Sequence, residues 1–383
     1  MARSGRVCIR ASGQRKRPEG GDTVGSDTPK PPEDATRVFG LTKAQLWPIV
    51  EAAVGEAVAL CEISFEHELP RNYGYQAEKA IPTFTCTTKA GAVRRVTVFG
   101  KHFYRTGPAE SVQYGFLAAH DAPIAQMYGR LYDAENREML FLEHLDTSPE
   151  AQSLQPPGRL RDFLSVTARL NAIRPSPKYR SWLEGWESTC LGWIAGAERD
   201  LEGIWEHACR GELGDELRDF CAEGDSKLKQ AQSIARRVAA RASRMEQGLI
   251  HSDLSRENTG RRHATGELLI LDIEFVHLGP RFFDIGPYLG GAAGSDPSDP
   301  SLRELAQHYL DEYARWGGSA PESDEFLDDL YVMWVAHPLH FLNWRLGRAL
   351  DGEVTWTKDR EEGRRASQRE LAKVLATLLQ QKV

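Results

Sequence analysis

From Leu41 onward, apolar and polar residues fall into periods that predict successive elements. Leu46, Trp47, Val50, Ala53 and Val54 recur at helical spacing, and Thr42-Lys-Ala-Gln45 ahead of them has the form of a capping box. A first helix is expected there, with Pro48 near its start, where proline is tolerated. Three strand-like stretches follow, at 62–69, 81–88 and 93–103. In the third, the alternation puts Lys101 on the face opposite Val96 and Val98. Gly107-Pro108-Ala-Glu110 then opens a helix with proline in its first turn, and Glu110, Tyr114 and Leu117 share one face of it. Glu138-Met-Leu-Phe-Leu142 reads as a buried strand running out through Glu143, His144 and Leu145 to Asp146.

Beyond Gly158 the period becomes helical. Leu160, Phe163, Leu164, Val166 and Leu170 form one apolar face; Trp182, Trp186 and Trp193 form another; Trp334, His337, His340, Phe341 and Trp344 form a third. The histidines of the last group are expected to be core or substrate-wall residues, and the tryptophans to pack as core, with an aromatic cage for a quaternary ammonium group as the alternative. A short run of strands followed by a run of helices predicts an α+β chain, and 383 residues leave room for two or three structural units. The expected division is residues 1–36 as a tail, 37–146 as an amino-terminal lobe and 147–383 as a carboxy-terminal lobe. The tail is rich in Arg, Gly, Ser, Asp and Pro and poor in large aliphatics, which predicts disorder.

Composition narrows the function classes. A net charge of −7 over 383 residues argues against a nucleic-acid binder. No stretch is apolar for long enough to span a membrane. The six cysteines show no metal-ligand spacing and no dense framework, which predicts reduced thiols and a cytoplasmic protein.

The chemistry is concentrated in His251-Ser-Asp253-Leu-Ser-Arg-Glu-Asn258. A polar turn through Gly266 follows, then the apolar run Leu268-Leu-Ile-Leu271, ending on Asp272-Ile-Glu274. An Asp followed five residues later by Asn matches the H-x-D-x-x-x-x-N loop of kinases. Phosphoryl transfer needs a carboxylate to take the acceptor proton, and oxygen donors for the metal ions that neutralise the phosphates. Asp253 is the candidate for the first role, and Asn258 with Asp272 for the second. Upstream, a strand lysine directed by a helix glutamate, Lys101 and Glu110, is the kinase arrangement for holding the α- and β-phosphates of ATP.

This stretch resembles the aminoglycoside phosphotransferase and choline kinase superfamily. The family's H-x-D-x4-N falls on His251, Asp253 and Asn258, its I-D-x-E/D on Leu271-Asp272-Ile-Glu274, and its G-P-x-x-x-D on Gly279-Pro280 through Asp284. The resemblance implies a two-lobed protein-kinase-like fold, with a small antiparallel-sheet lobe and a mostly helical one. It implies ATP and Mg²⁺ as cofactors and a small-molecule hydroxyl as acceptor. It further implies that His251 and Asp284 support the catalytic loop, and that Glu143 and Leu145 lie at the hinge that binds adenine. A glycine-rich phosphate loop is missing; Arg71, Asn72 and Gly74 are its candidate substitutes. A protein kinase is the less favoured reading, because Asp284 follows only twelve positions after Asp272, which leaves no room for an activation segment. A nucleotide-binding regulator without turnover is the other alternative, although no catalytic position is lost.

Overall fold

A computed structural model describes residues 37–65, 77–107, 109–155, 157–177, 179, 190–222, 224–351 and 359–381. The tail 1–36, the loop candidates Arg71, Asn72 and Gly74, and Trp182 and Trp186 lie outside these residues.

The first helix, α1 (Lys43–Val54), begins at the expected capping box. The Thr42 side chain accepts from the Gln45 backbone, and Gln45 accepts from the Thr42 N–H at 3.0 Å. Pro48 sits inside the helix, about a turn deeper than its period suggested. Leu46, Ile49 and Val50 are buried against one face of a sheet. That sheet comprises β1 (Val58–Phe65), β2 (Ala77–Ala80), β3 (Pro82–Thr88), β4 (Val93–Thr106), β5 (Met127–Tyr132) and β6 (Arg137–Glu143). Its order is β1-β3-β4-β6-β5, with antiparallel pairing throughout and β2 also paired to β4.

Two boundaries and one strand differ from expectation. β1 starts earlier than residue 62, and β4 runs on to Thr106. The segment β2 was missed altogether, yet it pairs with β4 in the same register as β3, Ala80 opposite Gly100 and Thr83 opposite Thr97. Its four residues, two of them charged, are too few to show a strand period.

Alternation along β4 separates two cores. Val98 faces α1 together with Phe84, Cys86 and Phe141. Phe103, with the parity of Lys101, faces the helical side with Leu140 and Leu142. A second helix, α2 (Ser111–Ala119), crosses that side.

The rest of the chain is mainly helical: α3 (Pro157–Ala172), α4 (Cys190–Cys209), α5 (Ser226–Ala242), α6 (Pro300–Arg315), α7 (Ser323–His340), α8 (Leu342–Asp351) and α9 (Arg360–Leu379). Their buried faces make one large apolar core that includes Phe163's neighbour Leu164, Ile194, Val238, Tyr309, Phe326 and Leu371. The expected apolar face on α3 is partly right: Phe163, Leu164 and Leu170 are buried, while Leu160 and Val166 sit at its margin. The late aromatic group spans two helices, since the chain breaks at Phe341 between α7 and α8. Segment 286–295 packs so closely on α7 that a Cβ at Gly290 would stand 2.2 Å from the Leu330 carbonyl oxygen.

Two small ribbons are inserted among the helices. β7 (Gln247–Ile250) pairs with β10 (His277–Pro280), and β8 (Thr259–Arg261) pairs with β9 (Leu268–Ile270). Together they hold the segments 251–258 and 271–276 side by side. The architecture is the two-lobed α+β one expected from the sequence.

Candidate active site

Segment 251–258 is held from behind by a buried carboxylate. Asp284 accepts the His251 N–H through Oδ2 and the Ser252 N–H through Oδ1, each at 2.9 Å. Ser252 has φ of +66°, a conformation that costs a residue with a side chain and therefore needs such bonds to persist. Asn171 on α3 donates from Nδ2 to Asp284 at 3.2 Å and to the Leu249 carbonyl at 2.8 Å, and its own oxygen accepts from the Tyr309 hydroxyl at 2.8 Å. The His251 ring is buried and donates from Nε2 to the Leu271 carbonyl at 2.8 Å, tying this loop to the segment that carries Asp272.

Asn258 closes the loop by donating from Nδ2 to the Asp253 carbonyl at 2.7 Å. The Leu271 N–H returns to the Asn258 carbonyl at 2.8 Å. The β8–β9 turn thus brings Asp272 back beside Asn258. The strand ends at Ile270, one residue short of the end of the apolar run, because Asp272 takes φ of +56° and turns the chain into a 3₁₀ turn.

Lys101 reaches this segment from the sheet. Its Nζ donates to Glu110 Oε1 at 2.6 Å and to Asp272 Oδ1 at 2.7 Å. Burial works against the ammonium, but Glu110 and Asp272 hold its pKa above the ordinary lysine value. Burial raises Glu110, with Lys101 acting against that rise. For Asp272 burial is outweighed by Lys101, and its pKa falls below the usual carboxylate value. Glu274, on the same turn, is pushed up to about 7 by burial and then by Glu110 and Asp272. Asp253 is raised by burial; His251 opposes that rise and Asp272 adds to it. A carboxylate so raised holds a proton more readily than an exposed one.

One residue that holds this cluster was not foreseen. Glu138 on β6 is fully buried, and its Oε2 accepts the backbone N–H groups of Ala109, Glu110 and Ser111 at 2.8, 3.0 and 3.3 Å. Its charge sits at the amino end of α2, where the helix dipole favours an anion. The available signal was an acid at the start of an otherwise apolar strand. Glu110 itself stands at the N-cap of α2, one position before the helix and not within it as expected. Pro108 lies outside the described residues.

At the end of β6, Glu143 has its side chain held by Arg262, Nε donating to Oε1 at 2.8 Å, and its N–H donates to the Gln126 carbonyl at 2.8 Å. Leu145 is buried with Ala125 and Leu269, and Asp146 exchanges backbone bonds with Arg261. This exit from β6 therefore lies directly on the β8–β9 ribbon.

The late histidines pack as rings. His340 lies edge-on to Trp193 at 4.3 Å between centroids, and His337 stands 5.4 Å from Phe283. Burial lowers their pKa values to about 2 and about 4. Among the described residues, no three His, Cys, Asp or Glu side chains gather as a metal site of their own. Asn258 and Asp272 are nevertheless hard oxygen donors of the kind that binds Mg²⁺ together with substrate phosphates, so they fit that ion. Among the described residues, no helix is long and apolar enough to cross a membrane.

Known proteins agree with this architecture. Spectinomycin phosphotransferase, solved with ADP and spectinomycin, is similar over 89% of this chain and 99% of its own, at 12% identity and a TM-score of 0.51, which shows a shared fold. Ethanolamine kinase of Plasmodium vivax is similar over 83% of this chain and 84% of its own, at 13% identity and a TM-score of 0.48. An aminoglycoside phosphotransferase from Alicyclobacillus acidocaldarius is similar over 86% and 95%, at 16% identity and 0.47. No curated protein matches the chain. The model of the phosphotransferase enzyme family matches residues 87–318, which take in Lys101, Glu110 and the whole of the Asp253–Asp284 stretch. Since that span is more than half of its length, the protein belongs to the phosphotransferase enzyme family.

Proposed function

We propose that the protein transfers the γ-phosphoryl group of ATP to a hydroxyl of a small molecule, with Mg²⁺ as the metal. The observation that carries this reading is the convergence of Lys101, Glu110 and Asp272, at 2.6 and 2.7 Å, beside a loop whose Asn258 is bonded to Asp253. A structural ion pair alone would not need the second ribbon, the Asp284 brace and the φ-positive Ser252 and Asp272 that aim these groups together.

In this mechanism Lys101, directed by Glu110, holds the non-transferred phosphates. Asn258 and Asp272 hold the metal, which supplies charge neutralisation on the phosphates. Asp253 orients the acceptor hydroxyl and takes its proton as the new O–P bond forms and the bond from the γ-phosphorus to the bridging oxygen breaks, releasing ADP. His251 and Asp284 touch no substrate; they set the loop. The backbone at Glu143 to Leu145 is the proposed adenine edge, with Glu143's carboxylate serving Arg262. The segment between Asp272 and Asp284 is occupied by β10 and two 3₁₀ turns, which leaves no peptide platform and favours a small acceptor. We place the division of the lobes at residue 146.

The test is phosphate transfer from labelled ATP to a broad panel of hydroxyl metabolites and aminoglycosides, with proteins and peptides alongside. Labelling of a small alcohol supports the reading. Labelling of proteins with none of the small molecules overturns it.

A further inference from the structure

Kinase-like folds usually cover the phosphates with the backbone N–H groups of a glycine-rich loop, which cradle an anion without side chains. In this chain residues 66–76 contain a single glycine, Gly74, and no G-x-G-x-x-G motif. A side-chain cation on the neighbouring strand can add to what such a loop supplies. Lys79, on the short strand β2, stands directly opposite Lys101 in the β2–β4 register. Directly opposed residues of an antiparallel pair project from the same face of the sheet, so both lysines rise from the face on which Lys101 meets Glu110 and Asp272.

Two like charges placed opposite each other on a sheet are destabilising. The surroundings offset that repulsion, since Asp272, Glu110 and Glu274 all interact electrostatically with Lys79. Burial and then Lys101 pull Lys79 below the ordinary lysine pKa, while those three acids act the other way. Two lysines and three acids are thus gathered within electrostatic reach of one another, and Lys79 is half-buried among them. A salt bridge to Glu274 or Asp272 alone would need only one of the two lysines.

We propose that Lys79 is a second phosphate-binding cation, which contacts the polyphosphate of the nucleotide from the β2 side. The inference rests on the ATP-dependent function proposed above, and it adds a residue to that site. Lys101 is fixed by Glu110 and takes the inner phosphates. Lys79, opposite it on β2, adds a second point charge on the same face, the role to which an ammonium is suited.

Calorimetric titration of the full chain with AMP, ADP and ATP separates the possibilities. For Lys79→Met, affinity for ATP should fall roughly tenfold, the size of one charge-assisted hydrogen bond, while affinity for AMP stays within about twofold. Lys79→Arg should keep most of the ATP affinity, and Lys89→Met, on the exposed turn between β3 and β4, should change nothing. If Lys79→Met does not fold, Lys79→Gln serves in its place. An ATP loss of less than about threefold, or an equal loss for AMP and ATP, would overturn the proposal while leaving the kinase reading intact. If the wild type binds none of the three nucleotides, both fall.

Discussion

Lys101 Nζ lies 2.7 Å from Asp272 Oδ1 although the two residues are 171 positions apart, and the same ammonium is 2.6 Å from Glu110. The bond joins the sheet to the ribbon-borne loop at the point where the phosphates are proposed to bind. It also leaves Asp272 serving two masters, the lysine and the proposed metal.

Asp272→Ala should therefore keep the Lys101–Glu110 pair and remove the magnesium-dependent part of the nucleotide effect on stability. Melting temperatures with ATP, with and without Mg²⁺, check this. The wild type should show an extra rise with Mg²⁺ and the variant none. An equal rise in both would take Asp272 out of the site.

Glu138→Ala should cost about 1–3 kcal/mol, since it strands backbone donors at the start of α2 that burial cuts off from water. Its nucleotide affinity should fall as well, because Glu110 is no longer held at the N-cap. Denaturant unfolding and nucleotide titration check the two effects. A variant with wild-type stability would show that the three bonds from Ala109, Glu110 and Ser111 are not what positions the helix.

How far the site was legible follows from how its parts are strung along the chain. Asp253, Asn258 and Asp272 lie within twenty residues, with a turn between them, so spacing alone exposes them. Lys101 was a candidate because strand parity points it to a face; Glu110 was picked out by a helix period that the structure starts one residue later, at Ser111. Glu138 and Asn171 were not, since each acts on residues that are distant in sequence: Glu138 on the start of α2, Asn171 on Leu249, Asp284 and Tyr309. The same reason hid β2, whose register is visible only against β4. Arg262, which holds Glu143, reads in sequence as one more charge in a polar turn.

Acid should weaken the carboxy-terminal lobe through its histidines. Burial, with Arg345 adding to it, lowers His337 from 6.5 to about 4, so the fold favours the neutral ring. That contribution is fully present above the unfolded value of 6.5 and is lost as pH falls from there toward about 4. His337→Phe, placed among Phe283 and Phe341, should flatten the fall in melting temperature over that window relative to the wild type. Parallel curves for the two proteins would show that His337 does not carry the effect.

Gly290→Ala should destabilise by about 1–3 kcal/mol, the usual cost of overpacking, because its Cβ would meet the Leu330 backbone and not a side chain that can turn away. Thermal unfolding measures it. A variant as stable as the wild type would mean that segment 286–295 can slide on α7 without loss.

The central claim is that Asp253 takes the acceptor proton in a site otherwise built to bind nucleotide. With an acceptor identified from the panel, wild type and Asp253→Asn are compared for phosphate transfer and for the Mg-ATP melting shift on the same samples. The account predicts an unchanged shift and a turnover lower by roughly 10²- to 10⁴-fold, the loss expected for a positioned general base. Transfer at more than about half the wild-type rate, with nucleotide binding intact, would contradict it.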